Sequence, residues 1–131
     1  MQHWITWIAV ALGGAVGACS RFAVGQIMIK LHPSADFPYG TFIVNLLGAF
    51  LLGIIYVLGK ENWIGAPYRL FWATGVMGAL TTFSTFAVEG ISLMEQGRPR
   101  MALLYWLSCL ISGILLAYFG MLIAGRITGT R

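Results

Sequence analysis

The chain has 131 residues, of which 59% are hydrophobic and only 9% charged, whereas about a quarter of the residues in a soluble domain are charged. Four apolar stretches and their short connections use nearly all of this length, which excludes a separate soluble catalytic domain within it and makes lipid the natural solvent of the chain. The formal net charge of +4 would suggest nucleic acid in a soluble protein, but the basic residues are scattered singly between apolar segments, so the anionic headgroup layer is the expected partner.

Taken from the start, Met1-Gln2-His3 carries no Lys or Arg. Ala9-Val10-Ala11 has the small residues of a signal-peptidase site, yet the apolar stretch before it is too short for a signal core. The first helix is therefore expected to remain in the mature protein. Its apolar segment runs from about Trp4 to Leu31, long enough to span a bilayer with tilt. Gly13 and Gly17 form a GxxxG face, flanked by Gly14 and Ala18, that lets another helix approach closely. Arg21 is ionisable and lies within the span, so it either snorkels to the interface or lines a vestibule that attracts anions. Cys19, like Cys109 further on, sits in an apolar run with neither disulfide nor metal-ligand spacing, and both read as small packing residues. His32-Pro33 ends the helix, because proline disfavours helix at the residue before it.

The second span covers about Tyr39 to Leu58, with Gly59-Lys60-Glu61-Asn62 as its polar exit. Asn45 lies near its middle, where an amide either bonds a neighbouring helix or lines an ion path. The third span, about Tyr68 to Glu95, has a centre too rich in glycine and hydroxyls for a plain helix, and Gly78-Ala79-Leu80-Thr81 is its expected break. Carbonyls freed there would form a hard oxygen site of the kind that holds Na⁺ in broken membrane helices; the alternative is a continuous, glycine-packed helix. A half-helix beginning near Thr81, capped by that hydroxyl, would aim a weakly positive end at the membrane centre and favour an anion.

Phe83 and Phe86 share a face of this half-helix, among Thr82, Ser84 and Thr85. Their ring edges, which carry partial positive charge, could partner an anion weakly enough to let it leave; otherwise the rings simply pack. Glu89 is a possible polar contact at the pore end, and Glu95 reads as interfacial. After Gly97-Arg98-Pro99 the fourth span runs from about Met101 to Ala124, with Tyr105, Ser108 and Ser112 along one face. Serines in such helices often bond back to their own backbone, so this stripe is weak evidence for a polar track.

An even number of spans places both termini on one side. That side, with the connection between the second and third spans, carries Lys60, Arg69, Arg126 and Arg131; the other carries Lys30, Arg98 and Arg100. Since Lys and Arg asymmetry sets orientation, a chain so balanced is expected to insert both ways, and two opposite copies would pair as an antiparallel homodimer. The alternative is one orientation chosen by another signal.

Over nearly its whole length the chain resembles the Fluc (CrcB-type) family of bacterial fluoride channels. The resemblance rests on Gly13-Gly14-Ala15-Val16-Gly17 with Arg21-Phe22, on Gly40-Thr41 leading to Asn45-Leu46-Leu47-Gly48, and above all on the run from Thr74 through Gly75, Gly78, Thr81 and Thr82 to Phe86. It implies an all-α membrane protein of four transmembrane helices with the third broken, assembled as a dual-topology antiparallel homodimer with two fluoride pores, in the bacterial cytoplasmic membrane. It also implies a structural Na⁺ at the dimer centre, held by the backbone carbonyls of Gly78 and Thr81. Phe83 and Phe86 would be the pore-lining pair, with Asn45 beside them and Arg21 toward a vestibule, while Glu89 occupies the place of an acid that commonly follows the aromatic motif. Thr82, Ser84, Tyr105, Ser108 and Ser112 complete the expected fluoride path. Ala79 stands where many relatives have a second glycine, and Ser112-Gly113 reverses a common glycine-serine order; Cys109 falls where relatives are polar.

The main rival is a small proton-coupled four-helix exporter, which needs a titratable carboxylate deep in a span, commonly the first; here the first span offers Arg21 and no acid. A non-conducting assembly subunit would explain the glycines but not the cluster of hydroxyls, phenylalanines and Asn45. No His, Asp or Cys constellation suggests an enzyme. The choice of fluoride over chloride comes from the resemblance alone.

Overall fold

The computed structural model describes residues 2–130, and every regular element in it is helical. Helix α1 (Gln2–Leu31) and α2 (Tyr39–Lys60) are continuous. The third span, Ala66–Glu95, is composite: α3 (Ala66–Arg69) runs into wide π-type turns over Leu70–Met77, then α4 (Gly78–Leu80), and after a gap α5 (Phe83–Glu95). Helix α6 (Pro99–Ile127) completes the bundle. All four spans are long and apolar enough to cross a membrane. Their ends coincide with the sequence boundaries at Leu31, Tyr39 and Glu95 and elsewhere lie two or three residues outside them. Prolines near the starts of α3 and α6 cost nothing there, since the amide they lack would have no helical acceptor. The π-type turns of Leu70–Met77 were not foreshadowed by any sequence signal.

Lipid supplies no hydrophobic drive for helices to associate, so small residues decide where they meet. The GxxxG face of α1 packs as its spacing predicts. A Cβ at Gly13 would run into the Phe71 carbonyl oxygen, and one at Gly17 into that of Val76, so α1 lies directly on the backbone of the wide turns. A second such seam joins α2 to α6, where Gly53 faces the Ala117 carbonyl and Gly120 faces that of Phe50. Two small cores fill the remaining space: Val44, Val76, Met77 and Leu80 on one side of the break, and Leu93, Ala102 and Tyr105 on the other.

The connections sort as the spans require. Arg98 pairs with Asp36, joining the α5–α6 turn to the α1–α2 loop at one end. At the opposite end Lys60, Glu61 and Thr130 line one small cavity, and the Arg69 side chain lies against Gly59. Arg131, assigned to that end from sequence, lies outside the described residues.

Candidate functional site: the break in the third span

The break occupies two residues. Thr81 (φ −79°, ψ 157°) and Thr82 (φ −151°, ψ 118°) are extended, between helix that ends at Leu80 and helix that restarts at Phe83. This corrects the sequence expectation, which placed the break over Gly78 to Thr81 and gave the cap to Thr81. Gly78, Ala79 and Leu80 are helical, and the cap is Thr82. Its Oγ1 accepts from the Thr85 amide at 3.2 Å and donates to Thr85 Oγ1 at 3.0 Å. Capping requires an extended residue whose hydroxyl faces the third helical amide, and the Thr81 hydroxyl is instead turned back to the Met77 carbonyl, to which it donates at 2.9 Å.

Asn45 on α2 engages the gap. The Thr82 amide donates to Asn45 Oδ1 at 2.8 Å, and Asn45 Nδ2 donates to the Thr82 carbonyl at 3.1 Å. Of the two sequence readings for Asn45, bonding to a neighbouring helix is therefore realised, and its side chain also borders the depression described below. In an unbroken helix the amides of Thr82 and Thr85 would donate to the carbonyls of Gly78 and Thr81. Here those amides turn to Asn45 Oδ1 and Thr82 Oγ1, so these two carbonyls lose their helical donors.

Two depressions meet at Thr82, which lines both. The first, about 300 Å³, is the more polar of the two and includes Arg21, Thr41, Thr85 and Glu89. The second, about 380 Å³, is mostly apolar and includes Asn45, Phe83, Phe86, Cys109 and Gly113. Phe83 is 80% exposed on the single chain, while Phe86 is half-buried. Their ring centroids are 6.0 Å apart, and Phe86 stands 5.1 Å from Tyr105 at an interplanar angle of 57°.

Glu89 is held at both carboxylate oxygens: Thr41 donates to Oε1 at 3.0 Å and Tyr105 to Oε2 at 2.7 Å. Tyr105 is completely buried, so it sits behind the site, touching Glu89 of the polar depression and Phe86 of the apolar one. Arg21 is half-buried on the polar depression and has no ion-pair partner among the described residues. Ser84 is exposed, with its Oγ 3.4 Å from Thr82 Oγ1. The fourth-helix serines are not gathered in: Ser108 donates back to the Tyr105 carbonyl at 3.2 Å, and neither it nor Ser112 lines either depression. Cys109 takes that place, its Sγ 4.0 Å from Asn45 Nδ2.

Sequence reasoning gave no role to Thr41 or to the bond between the Thr82 and Thr85 hydroxyls. Thr41 lies one helical turn before Asn45, so a search for polar groups sharing the Asn45 face would have found it. Among the described residues no group of three His, Cys, Asp or Glu side chains is placed to hold a metal ion.

Comparison with known proteins places the whole region in one family. The profile for "CrcB-like protein, Camphor Resistance (CrcB)" matches residues 8–121. The chain is 44% identical over 106 residues to a protein of Shewanella denitrificans named "Fluoride-specific ion channel FluC", covering 81% of this chain and 79% of that one. A Thermus thermophilus protein of the same name is 39% identical over 123 residues, covering 94% and 96%. "Fluoride-specific ion channel FluC 2" of Clostridium acetobutylicum is 44% identical over 114 residues, covering 87% and 93%.

Proposed function

The chain belongs to the CrcB-like family, and from that premise we propose that it is a subunit of a fluoride-selective channel of the bacterial cytoplasmic membrane, through which fluoride leaves the cell. One observation carries the reading beyond the relatives' names. The third span is interrupted at Thr81 and Thr82, and the restarted helix presents Phe83 and Phe86 to a depression bordered by Asn45. Arg21 draws the anion into the polar depression. The hydroxyls of Thr82, Ser84 and Thr85, at the capped start of α5, replace part of its water. The edges of Phe83 and Phe86 then partner it without the affinity of a full charge, so the ion moves on. Tyr105 and Thr41 direct their hydroxyl protons to Glu89, and through it keep α2, α5 and α6 in register. Ser108 and Ser112 join the path only if the assembled dimer turns them toward it. Fluoride efflux from liposomes holding the purified protein is the direct test: fast fluoride release with chloride retained supports the reading, and equal rates for both anions overturn its selectivity. Efflux that stops when a pH gradient is removed would favour the proton-coupled exporter.

Two features support an antiparallel homodimer. Phe83, next to the break, and Gly78, about one helical turn before it, are exposed on the single chain, and a second copy would cover them. Lys30, Arg98 and Arg100 on one side nearly balance Lys60, Arg69, Arg126 and, by sequence, Arg131 on the other. Reporter tags on the C-terminus are therefore expected on both sides of the membrane in comparable amounts, and a strongly one-sided result would refute the antiparallel pairing.

The carbonyls of Gly78 and Thr81 suit a structural Na⁺ between the two copies, since hard oxygen ligands are what that ion takes and these two have lost their helical donors. When bound, the ion would tie the two breaks together. Thermal stability of the dimer is expected to rise with Na⁺ concentration by mass action and to fall when a large organic cation replaces it; indifference to that exchange would remove the site.

A further inference from the structure

We infer that Asn45 is a positioning residue that keeps the third span open, its amide standing in for the helical hydrogen bonds that the break gives up. The argument begins from the peptide of Thr82, which lies at mid-span where no lipid group can pair with it. Its N–H donates to Asn45 Oδ1 at 2.8 Å and its C=O accepts from Nδ2 at 3.1 Å. A peptide N–H can only donate and a carbonyl only accept, so this pairing fixes which end of the amide is oxygen. Asn is the residue this geometry demands. A carboxylate has no donor for the carbonyl, a hydroxyl cannot span both groups, and Gln would push α2 away by the length of a methylene.

The alternative for the Thr82 amide is the Gly78 carbonyl, which would heal the helix through the gap. Asn45 thus competes with continuation of the helix, and by winning it releases the Gly78 carbonyl and leaves Thr82 extended so that its hydroxyl caps α5. Both depressions are walled by Thr82, so the same pairing fixes the partition between them. One N–H of Nδ2 remains, facing the weakly accepting Cys109 thiol at 4.0 Å, and is the part of the amide left to meet an anion. The consequence for flux rests on the channel reading above; the role in the break does not.

The test is NMR on threonine-labelled dimers, reading amide exchange and carbon shifts at Thr82. In Asn45→Ala, either Thr82 exchange accelerates at least ~10-fold, as the amide loses its partner, or its carbon shifts become helical, as the break heals. Asn45→Asp supplies the conservative rescue. A neutral carboxylic acid donates to the carbonyl and accepts from the amide, whereas a carboxylate faces the Thr82 carbonyl with a charge. Wild-type exchange and shifts are therefore expected at low pH in Asn45→Asp and are lost as pH rises. The other ionisable groups near the pairing are Cys109 and Tyr105 on α6, Glu89 on α5 and, across Thr82, Arg21 on α1, and wild type measured over the same pH range isolates their contribution. Should Asn45→Ala yield no folded dimer, the two ends of the Asn45→Asp titration decide within one sample. Unchanged exchange and shifts at Thr82 in Asn45→Ala, or a pH-independent Asn45→Asp, would overturn the inference. A normal Thr82 response in a protein that passes no anion would instead leave it standing and remove the channel.

Discussion

Fluoride efflux per folded protein is expected to fall at least tenfold in Phe86→Ile and in Phe83→Ile, equivalent to about 1.4 kcal/mol in the barrier. Isoleucine keeps an apolar side chain but has no positively polarised ring edge, so the ion loses a partner in a region where water cannot substitute. The two positions separate this effect from packing. Phe86 is half-buried and stacks obliquely on Tyr105 at 5.1 Å, so part of its loss will register as stability, about 0.5–1.5 kcal/mol for an aromatic pair. Phe83 is 80% exposed on its own chain, so its replacement leaves the protomer's interior untouched and any packing cost falls on the surface that a second copy would cover. Size-exclusion behaviour measured in parallel removes misfolded protein from the comparison. Near-wild-type flux in both variants would show the aromatic pathway to be wrong.

What could be read from the sequence was decided by length scale. The four spans follow from runs of apolar residues long enough to cross a bilayer, a signal that needs no partner to interpret. Gly13 and Gly17 also behaved as their spacing predicts, because a bare backbone is useful only where another backbone comes near. The break was found but misplaced, and the reason is physical. Composition marks a region unable to hold a regular helix, yet the residue that leaves the helix is chosen by a side chain on α2, where Asn45 takes the Thr82 amide. Nothing within the glycine-threonine run separates Thr81 from Thr82 as the cap. The polar stripe of α6 read poorly for a related reason. Tyr105, Ser108 and Ser112 share a face by count, but the Ser108 hydroxyl satisfies itself on the Tyr105 carbonyl, and the position that borders the depression belongs to Cys109. The wide turns over Leu70–Met77 lie where α1 packs on the span at Gly13 and Gly17, a contact between spans that the composition of one span does not report.

Gly17→Val is expected to abolish recovery of folded protein, whereas Gly14→Val, at a neighbouring position, should preserve it. A Cβ at Gly17 would overlap the Val76 carbonyl oxygen and press on the Leu80 amide at 3.0 Å. Both obstacles are backbone, which cannot rotate away as a side chain tip can. Relief requires α1 to lift from the wide turns and from the residues that lead into the break, so the damage reaches Leu80 and the Thr81–Thr82 gap beyond it. Overpacking of this kind costs about 1–3 kcal/mol where neighbours can shift, and here the shift would also undo the close seam at Gly13 and Gly75, whose backbones meet within 2.8 Å of a Cβ position. Gly14 has nothing within 4 Å of its Cβ direction, so a valine there only adds surface. Monodisperse elution and thermal unfolding of the two variants, purified side by side, give the comparison. A well-folded Gly17→Val protein with wild-type stability would mean that α1 does not rest on the backbone of the third span.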